Sequence, residues 1–230
     1  MMSSESPRSR RVTVRRKALM LSCATLAMAT AALAPQKAHA QAFNGTMSST
    51  PGATQNITGP NSETITISSG TVTIDWAPNE VCCGLIDFLP NGNTATFTSV
   101  GGLTDYTVLN RVVPTLDPTR AISLNGHVLS TLEGGSTTGG NIWFFSPGGI
   151  LIGGTAVFDV GGLLLTTNPV TFSTDSNGFT ATFTAGLPDA DIQVATGAQI
   201  NALQQNSYVA IVAPRIEQGG NVQVNGSAAT

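Results

Sequence analysis

Ile142-Trp143-Phe144-Phe145-Ser146-Pro147-Gly148-Gly149-Ile150-Leu151-Ile152-Gly153 opens on an apolar run with no polar residue interleaved. An unbroken run of this length suggests a strand covered on both faces, because a half-solvated strand would alternate. Leu163-Leu164-Leu165 and Tyr208-Val209-Ala210-Ile211-Val212 have the same character. Working outward, the segments Thr64-Ile65-Thr66-Ile67, Thr71-Val72-Thr73-Ile74-Asp75-Trp76, Thr94-Ala95-Thr96-Phe97-Thr98 and Phe179-Thr180-Ala181-Thr182-Phe183 alternate with period two. That is the signature of strands with one covered face.

No long stretch places apolar residues at helical spacing, so the chain reads as all-β. All 25 glycines lie after residue 40, among abundant Thr, Ser and Asn. Two architectures satisfy this pattern. A parallel β-helix places Gly, Asn and Thr at its corners and lets uncharged side chains hydrogen-bond along stacked ladders. A β-sandwich would use tight Asn-Gly hairpin turns, and Asn44-Gly45, Asn91-Gly92, Asn125-Gly126, Asn177-Gly178 and Asn225-Gly226 are all present. Composition alone leaves both open.

The amino-terminal 40 residues look like a removable signal peptide. Residues 1–17 are basic, residues 18–34 form an uncharged Ala/Leu/Met run, and Ala38-His39-Ala40 offers a small-x-small cleavage pattern with Gln41 as the new terminus. Ser9-Arg10-Arg11 resembles a twin-arginine signal, but Thr13 stands where an apolar residue belongs, which favours the general secretory route. The expected address is therefore secreted or cell-surface, by way of the periplasm of a Gram-negative type envelope.

From Gln41 onward the chain holds three arginines, no lysine and twelve carboxylates, a formal net charge of −9. Three scattered cations cannot neutralise a run of phosphates, so no nucleic-acid partner is expected. Without lysine there is no Schiff-base chemistry and no phosphate-loop lysine. One histidine, His127, remains, which excludes a multi-His metal centre. No metal and no cofactor are expected.

In order, Asn110-Arg111-Val112, Asp117-Pro118-Thr119-Arg120-Ala121-Ile122, Leu124-Asn125-Gly126-His127-Val128, residues 142–153 quoted above, and Asp159-Val160-Gly161-Gly162-Leu163 with Thr166-Thr167 resemble the secretion domain of filamentous haemagglutinins. These are the exported members of two-partner secretion systems. Ser207-Tyr208-Val209-Ala210-Ile211-Val212-Ala213-Pro214-Arg215 and Gly219-Gly220-Asn221-Val222 are similar to that domain's closing turns. The likeness spans roughly residues 45–226, so residues 41–230 read as one domain. The family usually has Asn-Pro-Asn-Gly where this chain has Ser146-Pro147-Gly148-Gly149. Pro147 still fixes φ at the second turn position, and Gly148 is expected to supply left-handed geometry at the third. Residues 60–105, which contain Cys82-Cys83, match nothing in the family and read as an insertion or an outlying hairpin.

The resemblance implies a right-handed parallel β-helix with small extra-helical β elements. It also implies the role of an amino-terminal secretion domain of an adhesin. Its partner would be an outer-membrane barrel transporter with periplasmic recognition domains, and folding outside the cell would template whatever follows. A host-cell or cell-surface ligand would act through a downstream passenger. The matched positions Asn110, Arg111, Arg120, Ser146, Pro147, Gly148, Gly149 and Ile150 are the candidates for transporter recognition. Arg111 and Arg120 have a second reading as guanidinium groups bound to loop carbonyls. Asp189 and Asp191 faintly suggest a calcium pair, without the third acid such a site needs. Cys82 and Cys83, adjacent in an exported chain, could form a vicinal disulfide, link two chains, or stay free. No catalytic residues are expected; the rival reading is a carbohydrate-active β-helix enzyme, a polysaccharide lyase or glycoside hydrolase, which would need clustered carboxylates in one groove.

Overall fold

The computed structural model describes residues 41–81, 83–133, 135, 137–175 and 178–225. The chain divides into two units, Met1–Ala38 and His39–Thr230, and everything described belongs to the second. The described residues form strands and turns without a helix, as the missing helical periodicity leads one to expect.

Strands β1 (Gly45–Met47), β2 (Ala53–Gly59) and β3 (Ser62–Ile67) open the unit. Three triplets follow: β4 (Thr71–Pro78), β5 (Ile86–Leu89) and β6 (Thr94–Ser99); β7 (Thr107–Val112), β8 (Ile122–Leu124) and β9 (His127–Thr131); β10 (Asn141–Phe145), β11 (Ile150–Ile152) and β12 (Val157–Asp159). Then come β13 (Gly162–Thr166), the pair β14 (Val170–Asp175) and β15 (Gly178–Phe183), and β16 (Asp191–Val194) with β17 (Gln199–Ala202). A last triplet is β18 (Val209–Val212), β19 (Arg215–Gln218) and β20 (Asn221–Val224).

Each triplet sends one strand to each of three sheets, in the same order every time. The sheets are β1-β4-β7-β10-β13-β18, β5-β8-β11-β16-β19 and β2-β3-β6-β9-β12-β17-β20. Within them neighbours run parallel, except β1 on β4 and β2 on β3, which are antiparallel at the amino-terminal edge. Parallel pairing removes the antiparallel sandwich that composition had left open. Residues 60–105 do not stand apart as a hairpin: β3 to β6 are built into all three sheets, and only the β2–β3 connection is a hairpin. The outlying hairpin is β14–β15, paired only with itself.

Register turns this order into columns. Ile86, Ile122, Ile150, Ile192 and Ile216 stand in line through the second sheet. Ala95, Val128, Phe158, Ile200 and Val222 do so in the third. One apolar core draws on all three sheets. Burying a Val, Ile or Phe side chain contributes roughly 1.5–3 kcal/mol, which the columns supply in every layer but the last, where Ile216 and Val222 are exposed.

The continuous apolar runs of β10 and β13 are covered on both faces, whereas that of β18 is only partly buried. Ile142 and Phe144 enter the main core while Trp143 and Phe145 join a second cluster with Leu109, Leu164 and Val170. Leu163 and Leu165 against Leu164 divide in the same way. The hairpin roofs this outer cluster, with Phe172 and Ala181 packed on it and the Phe172 ring 5.1 Å from Trp143 at a steep angle.

Candidate recognition site

Asn110 and Arg111 are neighbours in β7 and face opposite ways. Asn110 is wholly buried between Ile74 and Phe144 in the column of the first sheet. Its Oδ1 accepts the Trp76 indole N–H at 3.0 Å, and its Nδ2 donates to the Trp143 carbonyl at 3.2 Å. Both ends of the amide are used inside the core, so the folded form offers none of this side chain to a partner. Arg111 faces outward, 3.1 Å from Asp75 on the adjacent strand, with both side chains about half exposed. A pair this open to water contributes little to stability and stays free to exchange its partner.

Arg120 is a loop anchor. Its Nε donates to the Gly84 carbonyl at 2.8 Å and its Nη2 to the Val81 carbonyl at 2.9 Å, while Nη1 lies 3.7 Å from Glu80. This is the carbonyl-bound guanidinium that stood as the second reading of the residue. Glu80 completes the clamp from the other side. Its carboxylate accepts the Thr115 and Leu116 backbone N–H groups and the Thr115 hydroxyl. Desolvation works against the charged form of Glu80, but the hydrogen bonds from Thr115 and Leu116 and the charge of Arg120 outweigh it and hold the carboxyl below its ordinary range. Asp117, hydrogen-bonded by the Thr119 hydroxyl and N–H, is lowered too. The clamp fixes two loops that carry Val81, Leu85 and Leu116, all exposed.

The turn Ser146-Pro147-Gly148-Gly149 sits one layer on from Arg120, between β10 and β11. It closes through Gly149 N–H to the Ser146 carbonyl at 3.4 Å. Left-handed geometry falls on Gly149, with φ 124°, and not on Gly148 as expected. The third position needs glycine for room: a Cβ on Gly148 would lie 2.3 Å from the Arg120 carbonyl oxygen. The turn thus rests directly on the backbone of the loop that Arg120 anchors. Ser146 is buried with no hydrogen-bond partner for its hydroxyl, and Ile150 belongs to the isoleucine column.

Of the remaining sequence candidates, Ala38 and Ala40 lie outside the described residues, as does Cys82. Cys83 is an exposed free cysteine with φ 67°; the pairing with Cys82 falls outside what is described. Gln41 is half-buried. His127 Nε2 lies 2.8 Å from Asp159 Oδ2, and Asn201 Nδ2 donates to Asp159 Oδ1 at 2.8 Å. Asp191 accepts from Arg215 at 2.7 Å and from Gln193. Hydrogen bonding to Asp191, and then its charge, raise the already high Arg215 pKa further. Burial, aided by the charge of Asp105, pushes the Tyr208 phenol up to about 12 although its oxygen accepts the Trp143 indole N–H at 2.6 Å.

Phe43 and Glu80 escaped the sequence reading. Phe43 has no exposed surface and stacks on Phe88 at 4.8 Å, with Trp76, Phe97 and Phe144 around it. It follows the expected cleavage point too closely to belong to any recognisable periodic segment. Beside it opens a cleft of about 790 Å³, lined by Asn44, Asn61, Asn79, Glu80, Thr115 and Leu116 among others. Glu80 is the carboxylate that lines it. The candidates thus separate into a buried amide, an open ion pair on the first sheet, and a clamp with its adjoining turn. Comparison with protein-family models and with curated proteins gave no match.

Proposed function

We propose that residues 41–230 form a right-handed parallel β-helix and act as the secretion domain of a filamentous-haemagglutinin-like exported protein. An outer-membrane barrel transporter would recognise the chain in the periplasm and pass it to the cell surface, where it folds. The observation that carries this reading is the in-register parallel stacking of strands β7 to β13, drawn from the same residues 110–167 whose motifs resemble that family. Right-handed crossovers are the rule for parallel strands, which supports the handedness. Contacts made layer by layer suit a chain that emerges progressively and folds as it emerges.

Recognition in this reading uses the chain before it folds, at the segments that carry Asn110 and Arg111, Arg120, and Ser146 to Ile150. Once folded, Asn110 and Ile150 are buried, and Arg120 with Glu80 clamps two loops. The test is export of the full chain, with its leader, from a Gram-negative host with and without the gene for the matched transporter. Removing the transporter should abolish the surface or medium fraction and leave the protein in the periplasm. Equal amounts outside the cell in both strains would refute the role.

A further inference from the structure

Glu63 occupies a place that the proposed function does not use. It begins the inward column that continues through Ala95, Val128, Phe158 and Ile200, so a carboxylate stands where every later position is apolar. The side chain is 1% exposed. Its Oε2 accepts from Gln55 Nε2 at 2.9 Å, and its Oε1 is buried with no hydrogen-bond partner. Burial raises its pKa, against the opposing effect of Gln55 and of the backbone N–H groups of Phe43 and Ala42, which face the carboxyl. The Phe43 and Ala42 N–H groups face the carboxyl without the geometry of a hydrogen bond to Oε1, and a buried carboxylate oxygen without a well-placed donor is costly.

The chain from residue 41 onward has almost no cation to offer it. Arg111 is paired with Asp75, Arg120 with Glu80, Arg215 with Asp191, and His127 with Asp159; there is no lysine. The segment facing the carboxyl is the one that follows the expected cleavage point. Asn93 Nδ2 holds it by donating to the carbonyls of Gln41 at 3.3 Å and Ala42 at 2.9 Å. Ala42 and Phe43 have no exposed surface, so the backbone here is fixed.

We propose that Glu63 is the seat of the processed amino terminus. A signal peptidase hydrolyses the Ala40–Gln41 bond; the water's oxygen goes to the Ala40 carboxylate, and the Gln41 nitrogen leaves as an α-ammonium. That ammonium lies one peptide unit from the Ala42 N–H, within roughly 4 Å along the chain, and donates to Glu63 Oε1. The inference rests on the export reading for the cleavage itself. It adds that processing completes the amino-terminal closure of the core, so the domain reaches full stability only once its leader is gone.

Because residues 41–230 hold no lysine, the α-amine is the sole primary amine of that processed segment, and acylation of a chain ending at residue 230 reports on it directly. The full-length chain carrying Gln41→Ser, whose terminus cannot cyclise onto its own side chain, is exported from a Gram-negative host and its terminus sequenced. It is then treated with an acetyl succinimidyl ester, folded and in urea. An ion pair that raises the amine pKa by about one unit slows acylation about tenfold in the folded protein, and Glu63→Gln should restore most of that rate. Processing at residue 41 with equal rates folded and unfolded, or with a rate that Glu63→Gln leaves unchanged, would overturn this inference alone. Absence of processing would overturn it together with the export reading.

Discussion

Asn110 is an amide set into a column of apolar side chains, and it is tolerated there because both ends of the amide are bonded. Asn110→Ala removes the acceptor of the Trp76 indole and the donor to the Trp143 carbonyl, and opens a small void beside Phe144. A cost of about 2–4 kcal/mol follows from the stranded indole N–H and the lost packing. Urea unfolding should show it as a lower midpoint with an unchanged slope; a change below half a kilocalorie would mean that the amide is not needed. In sequence, Asn110 was visible only as part of a family-like motif, since nothing local separates a core amide from a surface one. Gly148 teaches the same point. Glycine at the third turn position was read as a demand on φ, but the demand on φ sits at Gly149, while Gly148 is required by the Arg120 carbonyl pressed against it. That second constraint comes from residues 28 positions earlier in the chain, beyond the reach of turn chemistry.

Elements were more legible than residues, because burial of a strand leaves a period in its sequence. The continuous runs at Ile142 and Leu163 marked strands whose outer faces are covered as well as their inner ones, whereas the run at Tyr208 is only partly buried on both. What covers them was signalled and misassigned. Asn177-Gly178 counted toward a sandwich; Asn177 lies outside the described residues, and Gly178 stands opposite Asp175 where β15 pairs antiparallel with β14. Asn91-Gly92 and Asn125-Gly126 instead lie at corners where the chain passes from the second sheet to the third. A dipeptide that favours tight turns cannot itself say whether the next strand returns to the same sheet. If the hairpin is a roof held by its apolar contacts, Phe172→Ala should loosen it locally. The expected cost is about 1–3 kcal/mol from the lost aromatic contact and burial. Hydrogen exchange should quicken in residues 170–183 and stay unchanged in β16 and β17; uniform acceleration would show that the hairpin is integral to the three sheets.

For the unit His39–Thr230, stacking gives the two ends different character, and that difference was not legible in composition. At the amino-terminal end, β1 and β2 lie antiparallel across the first strands of two sheets, and Phe43 fills the centre against Trp76, Phe88, Phe97 and Phe144. At the other end, β18, β19 and β20 are the outermost strands of their sheets. The isoleucine column records the gradient: Ile86, Ile122, Ile150 and Ile192 are at most 2% exposed, whereas Ile216 is 45% exposed. Side chains of similar apolar character should therefore carry unequal weight. Phe43→Ala should cost about 3–5 kcal/mol, the range for an aromatic removed from a closed core, and Ile216→Ala less than about 1 kcal/mol. Measured by urea unfolding of residues 41–230, that ranking follows from the difference in burial between the two positions. Equal losses at the two positions, or a larger loss at Ile216, would show that burial does not set the cost at these two positions.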